Sequence, residues 1–236
     1  MFNVLAPLII GHRGASAVAR ENTIAAFSDA IAAGADGIEF DVRLTRDGVP
    51  VIIHDNSLYR TAGLRHRIAD LTWSKLQQFD ASVPSLDQLF KLFESNNLGL
   101  YLEMKCDSPS EHLPLAEACC RLIDEYSFRE RLMIECFDLN ALVVVKNVDS
   151  EIKTAALFNQ SLISEQRVIE KALAIEASAL ALHHRLAREP LVQKAQDAGL
   201  HVAVWTVDDP AWVDRAKSTG IDALITNDPA AMLAHR

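Results

Sequence analysis

Ile38-Glu39-Phe40-Asp41-Val42 and Val51-Ile52-Ile53-His54-Asp55, joined through Arg46-Asp47-Gly48, decide how the chain is read. Both runs have the apolar and β-branched character of strands, and Asp47-Gly48 between them is a hairpin signal, so they are expected to pair antiparallel. Side chains alternate along a strand, so Glu39 and Asp41 leave from one face, close enough to share a cation. A strand with two carboxylates on one face must solvate or neutralise them, because unpaired buried charge is very costly. A metal site and a solvated strand face both follow from this stretch alone.

Outward from it, short apolar runs alternate with longer amphipathic segments. Strands are expected at Leu8–Gly11, Gly37–Leu44, Pro50–His54, Leu98–Lys105, Leu132–Cys136, Lys153–Leu157, Ala179–Leu182, His201–Thr206 and Ala223–Thr226. Asn22 is expected to cap a helix over Thr23–Ala33 that Gly34 stops. Ser85-Leu86-Asp87-Gln88 has capping-box spacing, and Asp209-Pro210 and Asp228-Pro229 each place a cap residue before a proline suited to a first helical turn. Such alternation predicts a parallel-stranded α/β fold. Nine runs are one more than an eight-stranded barrel needs, and the hairpin accounts for the extra one. No linker, repeat or low-complexity tract divides the chain, so residues 1–236 are expected to form one domain.

With 236 residues, half of them apolar, the chain is long enough for a single large core. A net charge of −9 and the lack of any Lys/Arg stripe argue against nucleic-acid binding, and a phosphate substrate would need local cations to recruit it. Cys106, Cys119, Cys120 and Cys136 have neither metal-ligand spacing nor a disulfide framework, which fits free thiols in a reducing compartment. The apolar opening from Met1 to Ile10 has no basic flank or cleavage signal and runs into Gly11-His12-Arg13-Gly14, so it reads as a first strand. No run approaches the roughly 20 apolar residues of a membrane span. A cytoplasmic protein without membrane insertion is expected.

Polar residues gather at the ends of the strand candidates. His12 and Arg13 close the first, Glu39 and Asp41 sit in the second, and His54 ends the third. Glu103 and Lys105, again two apart, close the fourth, and Trp205-Thr206 ends a late one. In an α/β barrel the strand C-termini converge on one mouth, where such folds place their chemistry.

On these residues the chain resembles the glycerophosphodiester phosphodiesterase family. The matching fragments run in order: His12-Arg13-Gly14, Glu21-Asn22-Thr23, Gly34 to Val42, Thr45-Arg46-Asp47-Gly48 and Val51 to Asp55. Pro84-Ser85-Leu86, Leu102-Glu103-Met104-Lys105, Trp205-Thr206-Val207, Gly220-Ile221-Asp222-Ala223 and Thr226-Asn227-Asp228-Pro229 complete them. The resemblance implies a TIM-type (β/α)8 barrel, distorted by the hairpin around residues 38–54. It implies hydrolysis of glycerophosphodiesters, small-molecule substrates, to glycerol 3-phosphate and an alcohol. It also implies that Glu39, Asp41 and Glu103 hold one divalent cation, that His12 and His54 carry protons, and that Arg13 and Lys105 hold phosphate.

Physical chemistry fits those roles. Carboxylate ligands without thiolates suit a hard cation such as Mg²⁺ or Ca²⁺. Arg13 offers a planar fork to phosphate and Lys105 a point charge. Two histidines suit a reaction that takes one proton and delivers another, without fixing which does which. Glu21 is expected at the substrate, or orienting His12 or Arg13, or at a helix N-terminus. Trp205 is expected against the glycerol or alcohol moiety or in the core. Asp55 could hold His54 by a hydrogen bond, but as the next residue on a strand it should point away and serve structure instead.

Several positions depart from the family pattern. Arg20 replaces a proline, Gln88 a glutamate, Cys136 a serine and Asp208 an asparagine, and the insertion at 56–83 is short. The rival readings are a lysophospholipid or phosphoinositide phosphodiesterase or lyase, and a non-catalytic phosphate-binding relative.

Overall fold

All nine apolar runs are strands: β1 (Leu8–His12), β2 (Gly37–Leu44), β3 (Pro50–Ile52), β4 (Gly99–Met104), β5 (Leu132–Cys136), β6 (Lys153–Phe158), β7 (Ala179–His183), β8 (His201–Trp205) and β9 (Ala223–Thr226). The structure, a computed structural model, describes residues 6–159 and 164–236, so the first five residues of the apolar opening lie outside it. Eight strands run parallel in the order β1-β9-β8-β7-β6-β5-β4-β2, and β1 pairs with β2 to close a TIM barrel. The ninth strand, β3, pairs antiparallel with β2 and lies outside the closed ring, with Val42 opposite Ile52 and Leu44 opposite Pro50. The hairpin is the distortion expected around residues 38–54.

Helices return the chain between parallel strands. They are α1 (Ile24–Ala33), α2 (Tyr59–Ala62), α3 (Trp73–Phe79), α4 (Leu86–Phe93), α5 (His112–Glu125), α6 (Leu139–Val148), α7 (Glu165–Ala174), α8 (Glu189–Asp197), α9 (Ala211–Thr219) and α10 (Pro229–His235). Their inward faces pack on the outer faces of the strands. Phe27 of α1, Phe40 of β2, and Phe90 and Phe93 of α4 are fully buried there. Phe27 meets Phe40 edge-on with centroids 6.3 Å apart.

The other parity of each strand points into the barrel. On β6 to β9 it presents Ala155, Leu157, Ala179, Ala181, Ala203, Ala223 and Ile225, mostly small and apolar. On β2, β4 and β5 the same parity carries Glu39, Asp41, Glu103 and Glu135, all buried. The lumen is therefore apolar on one side and lined with carboxyl groups on the other.

Several local expectations change. Thr23, not Asn22, caps α1: its hydroxyl accepts from Ala26 N at 3.3 Å, while the Asn22 amide is turned to Asp41. The buried carboxylate outcompetes a helix end for that amide. β3 ends at Ile52 rather than His54, and His54 O accepts instead from Arg43 Nε at 2.8 Å. The alternation that would turn Asp55 away from His54 therefore does not hold at 54–55. The capping box of α4 forms between Ser85 and Gln88, which gives Gln88 a structural use. Asp228 caps α10, with Pro229 in its first turn, and accepts from Ala231 N at 3.0 Å. α9 instead has Pro210 itself at the cap position, and Asp209, one residue earlier, accepts from Ala211 N at 3.0 Å.

Residues 56–83 carry α2 and α3 on a small core of their own, where Leu58, Ile68, Leu71 and Leu76 pack on Val51 and Ile53 of the hairpin. Arg20 reaches across to this segment and pairs with Asp80. Its side chain remains 41 % exposed and is not part of the lining of the pocket at the strand ends. Among the described residues no helix is long and apolar enough to cross a membrane.

Candidate active site

Strand register brings the acidic residues to one level. Asp41 stands opposite Glu103, and Glu103 opposite Glu135 on the next strand. His12 at the end of β1 stands opposite Glu39. Each carries the inward parity near a strand C-terminus, so alternation and register alone assemble the cluster.

The loop after β1 is bent to serve it. Arg13 and Asn22 both adopt positive φ, 56° and 57°, which non-glycine residues rarely do. Asn22 N donates to Arg13 O at 3.0 Å, folding the loop back on itself. Arg13 N then donates to a Glu39 carboxylate oxygen at 3.0 Å, and Arg13 Nε lies 3.1 Å from Asp41 Oδ2. Gly14, at φ 86°, has no room for a side chain: a Cβ there would stand 2.5 Å from the Ala26 backbone.

Asp41 is fully buried and matched by three partners. Arg13 Nε and Lys105 Nζ each lie 3.1 Å away, and Asn22 Nδ2 donates at 2.7 Å. Burial alone would raise its pKa, but Lys105 and then Arg13 overcome that and hold its carboxyl below the ordinary range. Lys105 also pairs with Glu103.

The remaining carboxylates are less well matched. Glu39, Glu103 and Glu135 each bring an oxygen within 4.8 Å of the others, and all three are buried. Glu39 Oε1 and Glu135 Oε2 have no hydrogen-bond partner among the described residues. Burial, then mutual repulsion, pushes Glu103 up to about 7 and Glu135 up to about 8. Glu39 is driven upward for the same reasons. Three crowded, under-compensated oxygen donors are a good fit to a hard divalent cation. Glu39 and Glu103 of the expected ligand set meet here. Asp41 lies beside them with its oxygens on Arg13, Lys105 and Asn22. Glu135 was missed, though an acid one from the end of the apolar run Leu132–Cys136 was a readable signal.

The histidines are held differently. His12 Nδ1 is 2.7 Å from Asn227 Oδ1, while Asn227 N and Nδ2 both donate to Asp208 at 2.7 Å. A carboxylate only accepts, so Asp208 fixes the amide with its oxygen toward His12, and His12 Nδ1 carries the proton. Nε2 is then the free acceptor, 3.9 Å from Glu39 Oε2. Burial, then Arg13, lowers the His12 pKa. His54 Nδ1 lies 2.7 Å from Asp55 Oδ1, so Asp55 holds His54 after all. Burial also lowers His54, against the opposing pull of Asp41 and Asp55.

A pocket of about 150 Å³ opens among these groups. His12, Arg13, His54 and Lys105 supply its cationic and proton-bearing side, and Glu39, Glu103 and Glu135 its floor. Trp205 and Phe137 form an aromatic wall, 5.5 Å apart and nearly perpendicular. Trp205 Nε1 donates to Ala181 O at 3.0 Å, which fixes the ring. Phe137 is 41 % exposed, high for its type. Glu21 lies outside this lining and instead accepts from Arg13 Nη1 at 3.0 Å, so of its expected places it takes the one behind Arg13.

The glycerophosphoryl diester phosphodiesterase family model matches residues 12–231. A glycerophosphodiester phosphodiesterase of Caldanaerobacter subterraneus subsp. tengcongensis is 32 % identical over 237 aligned residues, covering 96 % of each chain. Among solved structures, an Oleispira antarctica phosphodiesterase in complex with the product sn-glycerol-3-phosphate is 26 % identical, with a TM-score of 0.89 over 98 % of this chain and 96 % of that one. A glycerophosphodiester phosphodiesterase from Thermotoga maritima is 29 % identical, with a TM-score of 0.82 over 98 % of both. With its barrel, its pocket at the strand ends and a family match over nearly its whole length, the chain belongs to the glycerophosphoryl diester phosphodiesterase family of enzymes.

Proposed function

We propose that the protein hydrolyses glycerophosphodiesters to glycerol 3-phosphate and an alcohol with the help of one divalent cation, Mg²⁺ or Ca²⁺. The observation that carries this reading is one pocket holding Arg13, Lys105 and two histidines over a cluster of crowded carboxylates. A relative of the same fold binds sn-glycerol-3-phosphate, the product expected here.

Glu39, Glu103 and Glu135 are the residues that would hold the cation, with Asp41 adjoining. When bound, the cation supplies positive charge that polarises the phosphoryl group. Arg13 presents its fork to phosphate oxygens, and Lys105 faces the same charge as it grows. His12, its Nδ1–H committed to Asn227, offers Nε2 as the proton acceptor for the attacking oxygen. That oxygen belongs either to water, which gives glycerol 3-phosphate directly, or to the substrate's own glycerol hydroxyl, which gives a cyclic phosphate that water then opens to glycerol 3-phosphate. His54, oriented through Nδ1 by Asp55, whose carboxylate favours the charged ring against the effect of burial, delivers a proton from Nε2 to the leaving alkoxide. Trp205 and Phe137 present apolar faces to the carbon skeleton of the substrate.

Purified protein incubated with glycerophosphocholine and glycerophosphoethanolamine is expected to release glycerol 3-phosphate, to stop with EDTA and to recover with Mg²⁺ or Ca²⁺. Failure to cleave either diester, or cleavage indifferent to EDTA, would overturn the proposal. A stable cyclic phosphate as the end product would favour a lyase.

A further inference from the structure

Glu21 and Asp55 stand behind the two sides of the pocket, on different segments. Glu21, on the loop after β1, holds Arg13 at 3.0 Å, and Asp55, after β3, holds His54 at 2.7 Å. No contact joins the two carboxylates directly among the described residues. Arg60 of α2 joins them. Its Nε donates to Asp55 Oδ2 at 2.6 Å, its Nη1 to Glu21 Oε2 at 3.1 Å and its Nη2 to Glu21 Oε1 at 2.5 Å.

We propose that Arg60 is a positioning residue that couples the phosphate-holding Arg13 to the proton-carrying His54 through Glu21 and Asp55. The inference rests on the roles given to Arg13 and His54 above. Arg60 lines no part of the pocket and touches neither reacting group. Its side chain is 49 % exposed, so each ion pair taken singly contributes little to stability. Geometry is what the guanidinium supplies. Each carboxylate has one oxygen on a catalytic partner and needs its rotation fixed, and only a planar fork reaches both at once. A lysine at this position is a point charge and serves one carboxylate at a time. Because Arg60 is on α2, the short 56–83 segment has a stake in the pocket without entering it.

The test is a set of steady-state measurements on the metal-loaded full chain with glycerophosphocholine. Glu21→Gln loosens Arg13 and is expected chiefly to raise KM, while Asp55→Asn loosens His54 and chiefly lowers kcat. Arg60→Gln is expected to do both, with kcat/KM down about 10- to 100-fold, in the range of a 1 Å misplacement. Arg60→Lys should recover KM or kcat but not both. Glu21→Gln and Asp55→Asn should be non-additive in kcat/KM when Arg60 is present and additive in the Arg60→Gln background. Additivity with Arg60 present, full recovery in Arg60→Lys, or an Arg60→Gln enzyme that loses only thermal stability would each overturn the coupling. An inactive wild type would sink the proposed reaction instead, so the two failures are distinguishable.

Discussion

Lys105 is asked to do two jobs, and its substitution separates them. It lies 3.1 Å from Asp41 and pairs with Glu103, so it neutralises the floor of the pocket, and in the proposed reaction it also faces the phosphate. Lys105→Met keeps the bulk and removes the charge. Loss of a preorganised positive group at developing negative charge is expected to lower kcat/KM by about 10²–10³-fold. The same variant leaves Asp41 with only Arg13 as a charged partner, so added divalent cation should recover stability but not activity. Thermal melts alongside product assays read the two effects apart. Gly14 is the other residue with little latitude. Its φ of 86° and a Cβ that would stand 2.5 Å from Ala26 mean that Gly14→Ala strains the backbone and displaces the start of α1. The backbone strain alone costs about 1–3 kcal/mol. Denaturant unfolding should report at least that loss, and activity should fall with it because Arg13 is the preceding residue.

At the level of elements, helix ends can be perturbed without touching the site. The capping box of α4 satisfies two backbone N–H groups through Ser85 and Gln88, neither of which lines the pocket. Ser85→Ala is expected to cost about 1 kcal/mol, a drop of roughly 2–4 °C in Tm for a chain of this size, with KM unchanged. Differential scanning calorimetry with one Michaelis curve checks it. This box was readable in the sequence because its rule is local: four consecutive residues contain the whole interaction. The strands were readable for the same reason, and the hairpin turn at Asp47-Gly48 explained the ninth. The cap of α1 was misread because a buried carboxylate, distant in sequence, claims the Asn22 side chain. Asp55 was misread because β3 ends two residues early, which no alternation rule reveals. Glu135 and the Asp208–Asn227 pair were legible only in part, since their meaning comes from register between strands. Arg60 was not legible at all: it acts through two carboxylates on two other segments.

The whole molecule carries the cost of its lumen. Four buried carboxylates share one half of the barrel, and only Asp41 is fully compensated by cations. Burial and crowding push Glu103 up to about 7 and Glu135 up to about 8, from ordinary values near 4.5. In the folded protein without metal these groups therefore hold protons that the unfolded chain has already released between about pH 4.5 and 8. The sign follows from linkage: where the native state binds more protons, stability falls as pH rises. The stabilisation is fully present below the unfolded value and lost as pH passes through the folded ones. Tm of the EDTA-treated protein should therefore decline from pH 6 to pH 8.5 by several degrees, opposite to a protein dominated by salt-bridged carboxylates. A divalent cation takes the place of those protons and binds the folded state alone, so it should raise Tm more at pH 8.5 than at pH 6. Glu135→Gln removes one of the raised groups, and its metal-free melting profile should be flatter across the same range. A metal-free Tm that rises with pH, or a cation effect equal at both pH values, would show that these carboxylates are compensated by something other than protons and metal.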